Sequence, residues 1–395
     1  MTPLERRASF SLASIFALRM LGLFLVLPVF ALEARKYPGG DDPLLLGLAM
    51  GIYGLTQGLL QLPYGMASDR FGRKRVIVLG LLVFAVGSFW AAAATDLQGL
   101  LLGRSLQGAG AVSAAVTAFL ADLTRDEVRT KAMAMVGASI GLMFALSLVL
   151  APLLAAAVGL AGLFGITGVL ALLGVSVVLW GAPPEPVRQP NAPRGRLREV
   201  LQHAGLLRLN LGVFVLHAVQ LAMWVAVPGL LVQAGLDKAQ HWQVYLPAVL
   251  GSFVLLGGLF ALERRGHLKK VFLAAILLVG LVQLGLLVVA SGTPRLGALA
   301  ALLFVFFCGF NVLEATQPSL VSRLAPANVR GSAMGVYNTL QSLGFFVGGW
   351  AGGALVKSWG SPVLFLVCAL AMAVWWLVAL PMSAPGRSGM VVQAP

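Results

Sequence analysis

The stretch GMASDRFGRKR, Gly65 to Arg75, lies between two apolar runs, LLLGLAMGIYGLTQGLLQLPY before it and VIVLGLLVFAVGSFWAAAA after it. It gathers Asp69 and four cations, Arg70, Arg73, Lys74 and Arg75, in a chain of which only 11% is charged. An apolar run of about 20 residues crosses the roughly 30 Å hydrocarbon core of a bilayer as a helix. The charged island therefore marks a place where the chain leaves lipid, and the runs beside it read as spanning helices.

The rest of the chain repeats this pattern. Of its 395 residues 59% are hydrophobic, and a soluble domain carries about twice this share of charge. Twelve apolar runs stand out, at about 9–32, 44–67, 76–94, 98–120, 132–157, 160–181, 207–232, 243–262, 271–290, 296–321, 332–356 and 360–382. The first follows a basic start and ends in small residues, as a secretory leader does, but at about 20 residues it exceeds the 7–15 of a leader's apolar core. It reads as a retained spanning helix.

Net charge is +14. Cations that bind nucleic acid line one face or stripe; these fall between apolar runs, the pattern of membrane topology. With the N-terminus placed in the cytoplasm, 21 of the 28 Lys and Arg fall in inside segments, five fall outside, and Arg19 and Arg104 lie within runs. Both termini are therefore expected in the cytoplasm. Cys308 and Cys368 lie inside apolar runs and suggest neither a disulfide framework nor a metal site.

The longest polar connection, APPEPVRQPNAPRGRLREVLQHAG, divides the chain near its middle. It predicts a cytoplasmic linker over 183–205, with a short surface helix near Leu197–Ala204, between six-run bundles at 1–182 and 206–395. Two local matches suggest that the halves are repeats. Asp69-Arg70-Phe71-Gly72 answers Glu263-Arg264-Arg265-Gly266, and Val128-Arg129-Thr130-Lys131-Ala132-Met133 answers Val329-Arg330-Gly331-Ser332-Ala333-Met334. Parallel six-helix repeats point to a transporter with its site between the halves.

Several motifs carry a family resemblance. Gly65-x-x-x-Asp69-Arg70-x-Gly72-Arg73-Lys74-Arg75 resembles the signature of the major facilitator superfamily between its second and third helices. Arg104-x-x-Gln107-Gly108-x-Gly110 resembles the second family motif, and Leu21-Gly22 with Pro28 one of the twelve-helix drug:proton antiporter branch. The stretches MTPLERRA, LRMLG, GIYGLTQ, DLTRDEVRTKAMA, LEATQPSL and GSAMGVYNTLQSLG are similar to efflux transporters of that branch. Some of those carry a soluble domain after the last helix; none is expected before Pro395. One departure falls in the fifth run, where Ala151-Pro152-Leu153-Leu154-Ala155-Ala156 keeps the family's proline without its paired glycines. The resemblance implies that Asp69 sits against the start of the eleventh run near Gly331, that Arg73 reaches Asp122, and that this cluster latches the cytoplasmic side.

Ionisable residues inside membrane runs are functional candidates by default. Arg19 lies about 15 Å into the first run, and Glu314 about 12 Å from the cytoplasmic end of the tenth, at 1.5 Å per residue. Glu314, the sole carboxylate well inside a run, is the first candidate for carrying a proton. Glu33, at the outer end of the first run, is the second. Arg104 either assists proton transfer, as the resemblance implies, or ties helices together.

Polar stripes at helical spacing suggest a cavity. They are Tyr53, Gln57 and Gln61; His217, Gln220 and Trp224; Asn311, Glu314 and Gln317; and Asn338 with Gln341, to which Gln107 is added. The same residues equally suit helix–helix hydrogen bonding. Phe16, Met20 and Phe24 offer an apolar, adaptable wall.

Nothing suggests an enzyme: no glycine loop carries the lysine of a nucleotide site, and no nucleophile–base pair or metal cluster appears. The expected protein is an all-α, twelve-helix secondary transporter of a bacterial inner membrane. It acts as a monomer, without cofactor or nucleic acid, and exchanges protons for small amphipathic compounds. The alternative is an uptake symporter or facilitator for a small metabolite.

Overall fold

The computed structural model describes residues 1–110, 112–185, 197–262, 267–326 and 329–382, and all regular structure among them is helical. Helix α1 (Pro3–Glu33) begins six residues before the first apolar run because its N-terminus is capped. The Thr2 hydroxyl accepts from the Glu5 amide (3.2 Å) and the Glu5 carboxylate accepts from the Thr2 amide (2.7 Å), with Pro3 in the first turn. Helix α2 (Pro43–Phe71) starts on Asp42, which accepts from the Leu44 amide at 2.8 Å. It runs through Asp69 and Arg70, and α3 (Arg73–Ala93) begins at once. The charged island is thus not a loop. Gly72 alone separates the helices, at φ 99°, where a side chain would be strained.

The fourth apolar run is broken, against expectation. Helix α4 (Leu97–Ala109) ends at Gly110 and α5 (Ser113–Asp122) follows. Gly110 presses on α3, since a Cβ there would lie 2.4 Å from the Gly80 carbonyl. Helix α6 (Asp126–Ser176) is extended by a five-residue π-turn at Val177–Gly181. A short α7 (Leu197–Gln202) agrees with the predicted surface helix. The rest of the linker, 186–196, and Glu263-Arg264-Arg265-Gly266 of the repeat match lie outside the described residues. Helices α8 (Ala204–Gln233), α9 (Trp242–Leu262), α10 (Leu268–Ser291), α11 (Leu296–Leu324) and α12 (Arg330–Ala379) complete the order.

Eight helical stretches among the described residues are long and apolar enough to cross a membrane. Two of them, in α6 and α12, belong to helices of 51 and 50 residues, each interrupted at one glycine, Gly159 (φ 66°) or Gly360 (φ 83°). Both helices fold back there. Ser139 donates to the Ala13 carbonyl (3.3 Å) and Thr167 to the Gly22 carbonyl (3.0 Å). In a straight helix positions 139 and 167 would be about 42 Å apart, whereas 13 and 22 are about 14 Å apart. The two ends of the α6 segment also meet at the start of α1: Arg125 bonds Glu5 at 2.8 Å and Arg7 bonds the Gly181 carbonyl at 3.0 Å. In α12 the same logic holds. Gly344 packs on Phe214 and Trp375 packs on Gly212, neighbouring positions of α8. Each hairpin thus clasps one long helix, α6 around α1 and α12 around α8.

Helix α2 crosses from the first half of the chain to the second. Its glycines lie against the first leg of α12, antiparallel: Gly47 on Gly349 and Gly353, Gly51 on Phe346, Gly54 on Ser342 and Phe345, Gly58 on Thr339 and Leu343. Small residues let the backbones approach this closely. Large apolar side chains point outward, among them Phe10 (70% exposed) and Trp180 (75%), a surface that needs lipid around it.

Candidate functional site

Four polar clusters interrupt the apolar packing. The first is at the charged island. Arg73 bonds Asp69 (2.8 Å), Asp122 at the end of α5 (2.8 Å) and the Ser68 hydroxyl (2.7 Å). Lys74 adds the Ala182 carbonyl (2.8 Å), and its amide donates to Glu185 (2.7 Å). All of these join α2, α3, α5 and the segment after α6. Asp69 thus has a partner in its own half of the chain, one turn away. Arg70 lies over the Phe71 ring at 5.4 Å. Gly65 faces Ala114 of α5.

The second cluster surrounds Arg19 and Arg104, each 1% exposed. Arg19 donates to Ser113 (2.8 Å), the Tyr53 hydroxyl (2.6 Å) and Gln57 Oε1 (2.9 Å), and lies 5.6 Å from the Phe84 ring centre. Gln57 Nε2 donates onward to Ser342 of α12 (3.1 Å). Arg104 donates to the Met50 carbonyl (3.1 Å) and Gln107 (3.1 Å), lies 5.2 Å from the Tyr53 ring, and Gln107 continues to Ser88 (2.8 Å). Arg104 and Gln107 thus join α4, α2 and α3.

The third cluster belongs to α8, α11 and α12. His217 Nδ1 lies 2.8 Å from the Val213 carbonyl, and its Nε2 lies 2.7 Å from Gln341 Nε2 and 3.2 Å from Glu314 Oε2. Gln341 also reaches Glu314 Oε1 at 3.4 Å, and the Phe310 and Phe345 rings stand edge-on to the imidazole. The expected burial of Glu314 needs correction. Oε2 is enclosed, but the side chain is 40% exposed, while His217 is 2% exposed. The carboxylate stands at an opening and the imidazole behind it.

The remaining stripe residues separate. Asn338 accepts at its carbonyl from Ser342 (3.0 Å), beside the third cluster. Asn311 bonds Ser252 of α9 (2.7 Å) and Trp224 stands edge-on to Tyr245, so both join helices of the second half. Gln220, Gln317 and Gln61 are buried, each with an amide atom lacking a partner. Among the described residues no cluster of His, Cys, Asp or Glu has the makings of a metal site.

The fourth cluster lies at the other end of the helices from the charged island. Glu33, 3% exposed, bonds Lys36 and also Lys238, between α8 and α9, at 2.6 Å. Asp42 bonds Lys357 of α12 at 2.6 Å. The Lys357 ammonium holds the Asp42 carboxyl below its ordinary range. Both pairs tie the first half of the chain to the second. Lys238, Lys357, Ser113 and Ser342 were not predicted. The two lysines carry no signal in sequence. Ser342 adjoins the stripe residue Gln341, while Ser113 has no stripe residue beside it, and only the fold points their hydroxyls at Gln57 and Arg19.

Comparison with known proteins fits this arrangement. The model of the Major Facilitator Superfamily matches residues 12–349. The inner membrane transport protein YajR of Escherichia coli (strain K12) is 42% identical over 390 residues, 98% of this chain and 85% of that protein. The multidrug resistance protein MdtH of Aeromonas hydrophila is 28% identical, covering 85% of this chain and 84% of its own. Among solved structures the POT family transporter PepTSo superposes with a TM-score of 0.74 at 16% identity, over 94% of this chain and 97% of that one. This chain belongs to the Major Facilitator Superfamily and is a membrane transporter, not an enzyme.

Proposed function

We propose that this transporter is a proton-driven exporter of small amphipathic compounds. It works by alternating access of two six-helix bundles, residues 1–182 and 206–395, joined by the linker 183–205. The hairpins at Gly159 and Gly360, the split α4–α5 segment and α9 bring the eight long apolar stretches to twelve spans, and the Lys and Arg distribution favours both termini in the cytoplasm of a bacterial inner membrane. One chain holds the whole site and acts as a monomer, without nucleic acid.

The observation that carries this reading is the contact of His217, Glu314 and Gln341. A carbonyl only accepts, so the Val213 oxygen requires hydrogen on His217 Nδ1. The neutral ring then offers one lone pair, at Nε2, and Gln341 donates to it. A proton taken up between ring and carboxylate makes Nε2–H a donor to Glu314 Oε2, and the Gln341 amide loses its shorter acceptor and keeps only Glu314 Oε1 at 3.4 Å. Gln341 stands on α12, the helix that α2 packs against. Protonation therefore acts on the seam between the halves. Export of lipophilic compounds is favoured by the name of the MdtH relative and by Phe16, Met20 and Phe24 on α1.

The test uses the full chain in proteoliposomes holding a trapped pH indicator. An imposed proton gradient is expected to drive a lipophilic dye across the membrane. Glu314→Gln and His217→Gln are expected to slow this at least about tenfold at unchanged insertion, within the range of removing a proton-transfer group. Unchanged rates in both variants would reject the proton site.

A further inference from the structure

Arg19 and Arg104 differ from the other buried charges among the described residues. Buried Glu5 is met by Arg125, and buried Glu33 by Lys36 and Lys238. Among the described residues the two guanidiniums have hydroxyl, amide, carbonyl and ring neighbours and no carboxylate. Arginine keeps its charge in any such setting. Neutral dipoles lower the cost of a cation inside the membrane without cancelling it. Arg19 also has one atom, Nε, buried without a partner.

The three acceptors of Arg19 are not equivalent. Tyr53 (4% exposed) and Ser113 (8%) are buried within the first half of the chain. Gln57 is half-buried, on the seam, with its oxygen on Arg19 and its nitrogen on Ser342 of the facing half. Its oxygen is the acceptor that an arriving group can replace. Met20 and Phe24, also half-buried on α1, offer apolar surface nearby.

We infer that the transported compounds are amphipathic organic anions, and that the anionic group replaces Gln57 Oε1 on Arg19. Charge-assisted hydrogen bonds from a guanidinium are roughly twice as strong as those to a neutral acceptor. A carboxylate therefore displaces the amide oxygen, and the Gln57–Ser342 bridge across the seam breaks with it. Loading the site thus loosens the contact between the halves, and a cationic compound meets repulsion at the same place. This rests on the transporter reading above and names the substrate class for it.

The experiment compares 2-naphthoate with 2-naphthamide and 2-naphthylmethylammonium, one ring system with three charges, by scintillation proximity on the full chain in proteoliposomes. Wild type is expected to bind naphthoate about tenfold or more tightly than naphthamide, the ratio of a charge-assisted to a neutral bond. Arg19→Lys keeps the preference and Arg19→Gln reduces the ratio to about one. Gln57→Glu places a carboxylate on Arg19, leaves the arginine in place and lowers naphthoate binding at least about tenfold, so a misfolded Arg19→Gln does not spare the proposal. Equal binding of all three probes, a preference for the ammonium, or a preference for naphthoate that survives Gln57→Glu overturns it. If a proton gradient moves naphthamide or the ammonium while naphthoate is not preferred, the exporter reading stands and this inference falls. If naphthoate binds through Arg19 and crosses the membrane, but a proton gradient does not drive it, the inference stands and the proton-driven reading falls.

Discussion

Consider Gly47→Ala. The new methyl would lie 2.1 Å from the Gly349 carbonyl oxygen and 2.8 Å from the Gly353 Cα. Both neighbours are backbone, so neither can swing aside. A carbon and a carbonyl oxygen settle no closer than about 3.3 Å, so α2 and α12 must separate there by about 1 Å. Overpacking of this kind costs about 1–3 kcal/mol. The cost falls only on the state in which these two helices meet at this end. It therefore shifts the population away from that state by roughly 5- to 150-fold, at 1.4 kcal/mol per decade. Spin labels on cysteines at Asp41 and Trp359, both exposed, report the separation by pulsed electron resonance; the native Cys308 and Cys368 are buried. The expected result is a new, longer-distance population in Gly47→Ala. Gly58→Ala is the control, since its methyl would find its nearest neighbour at 3.3 Å and needs only a few tenths of an ångström. Identical distance distributions in wild type and Gly47→Ala would refute the argument that this seam opens as a unit.

Two further outcomes follow from the same end of the helices as Gly47. Lys238→Glu sets a second carboxylate against Glu33 and is expected to weaken closure there by about 1 kcal/mol, read as faster thiol labelling of nearby cysteines; the double change with Glu33→Lys should restore it, and equal labelling in all three would remove the pair from the gate. His241 is 1% exposed, and burial pushes its imidazole down to about 4 from the ordinary 6.5. Between those values the unfolded chain binds the extra proton, so this contribution is complete above pH 6.5 and disappears as pH falls towards 4. It amounts to at most about 3 kcal/mol. Thermal unfolding in detergent across that window should show a slope that His241→Gln flattens, and an unchanged slope would count against a buried neutral ring.

The membrane class and the positions of the apolar runs were readable because they depend on local composition. The break between α4 and α5 was not, since Gly110 ends the helix through contact with α3, thirty residues earlier. The glycines 47, 51, 54 and 58 show the spacing of a close helix contact in sequence, but their partner on α12, nearly 300 residues away, does not. Glu314 and His217 were each visible as polar residues in apolar runs. That they face each other, with the acid partly open and the imidazole enclosed, depends on how α8 and α11 pack, and no local pattern encodes it.

The clasp of later helices around α1 also sets a timetable for synthesis. Arg19 enters the membrane with the first helix, but Tyr53 and Gln57 follow 34 and 38 residues behind it and Ser113 follows 94 behind. At about 5–20 residues per second the last of these arrives roughly 5–20 s later. The hairpin leg that covers Gly22 through Thr167 is 145 residues away and comes later still. Throughout that interval the nascent α1 carries an unsheltered guanidinium, which must remain near headgroups, water or the insertion machinery. The first helix to be made is thus among the last to settle, and a ribosome stalled before residue 113 would hold a chain whose opening helix cannot yet take its final depth.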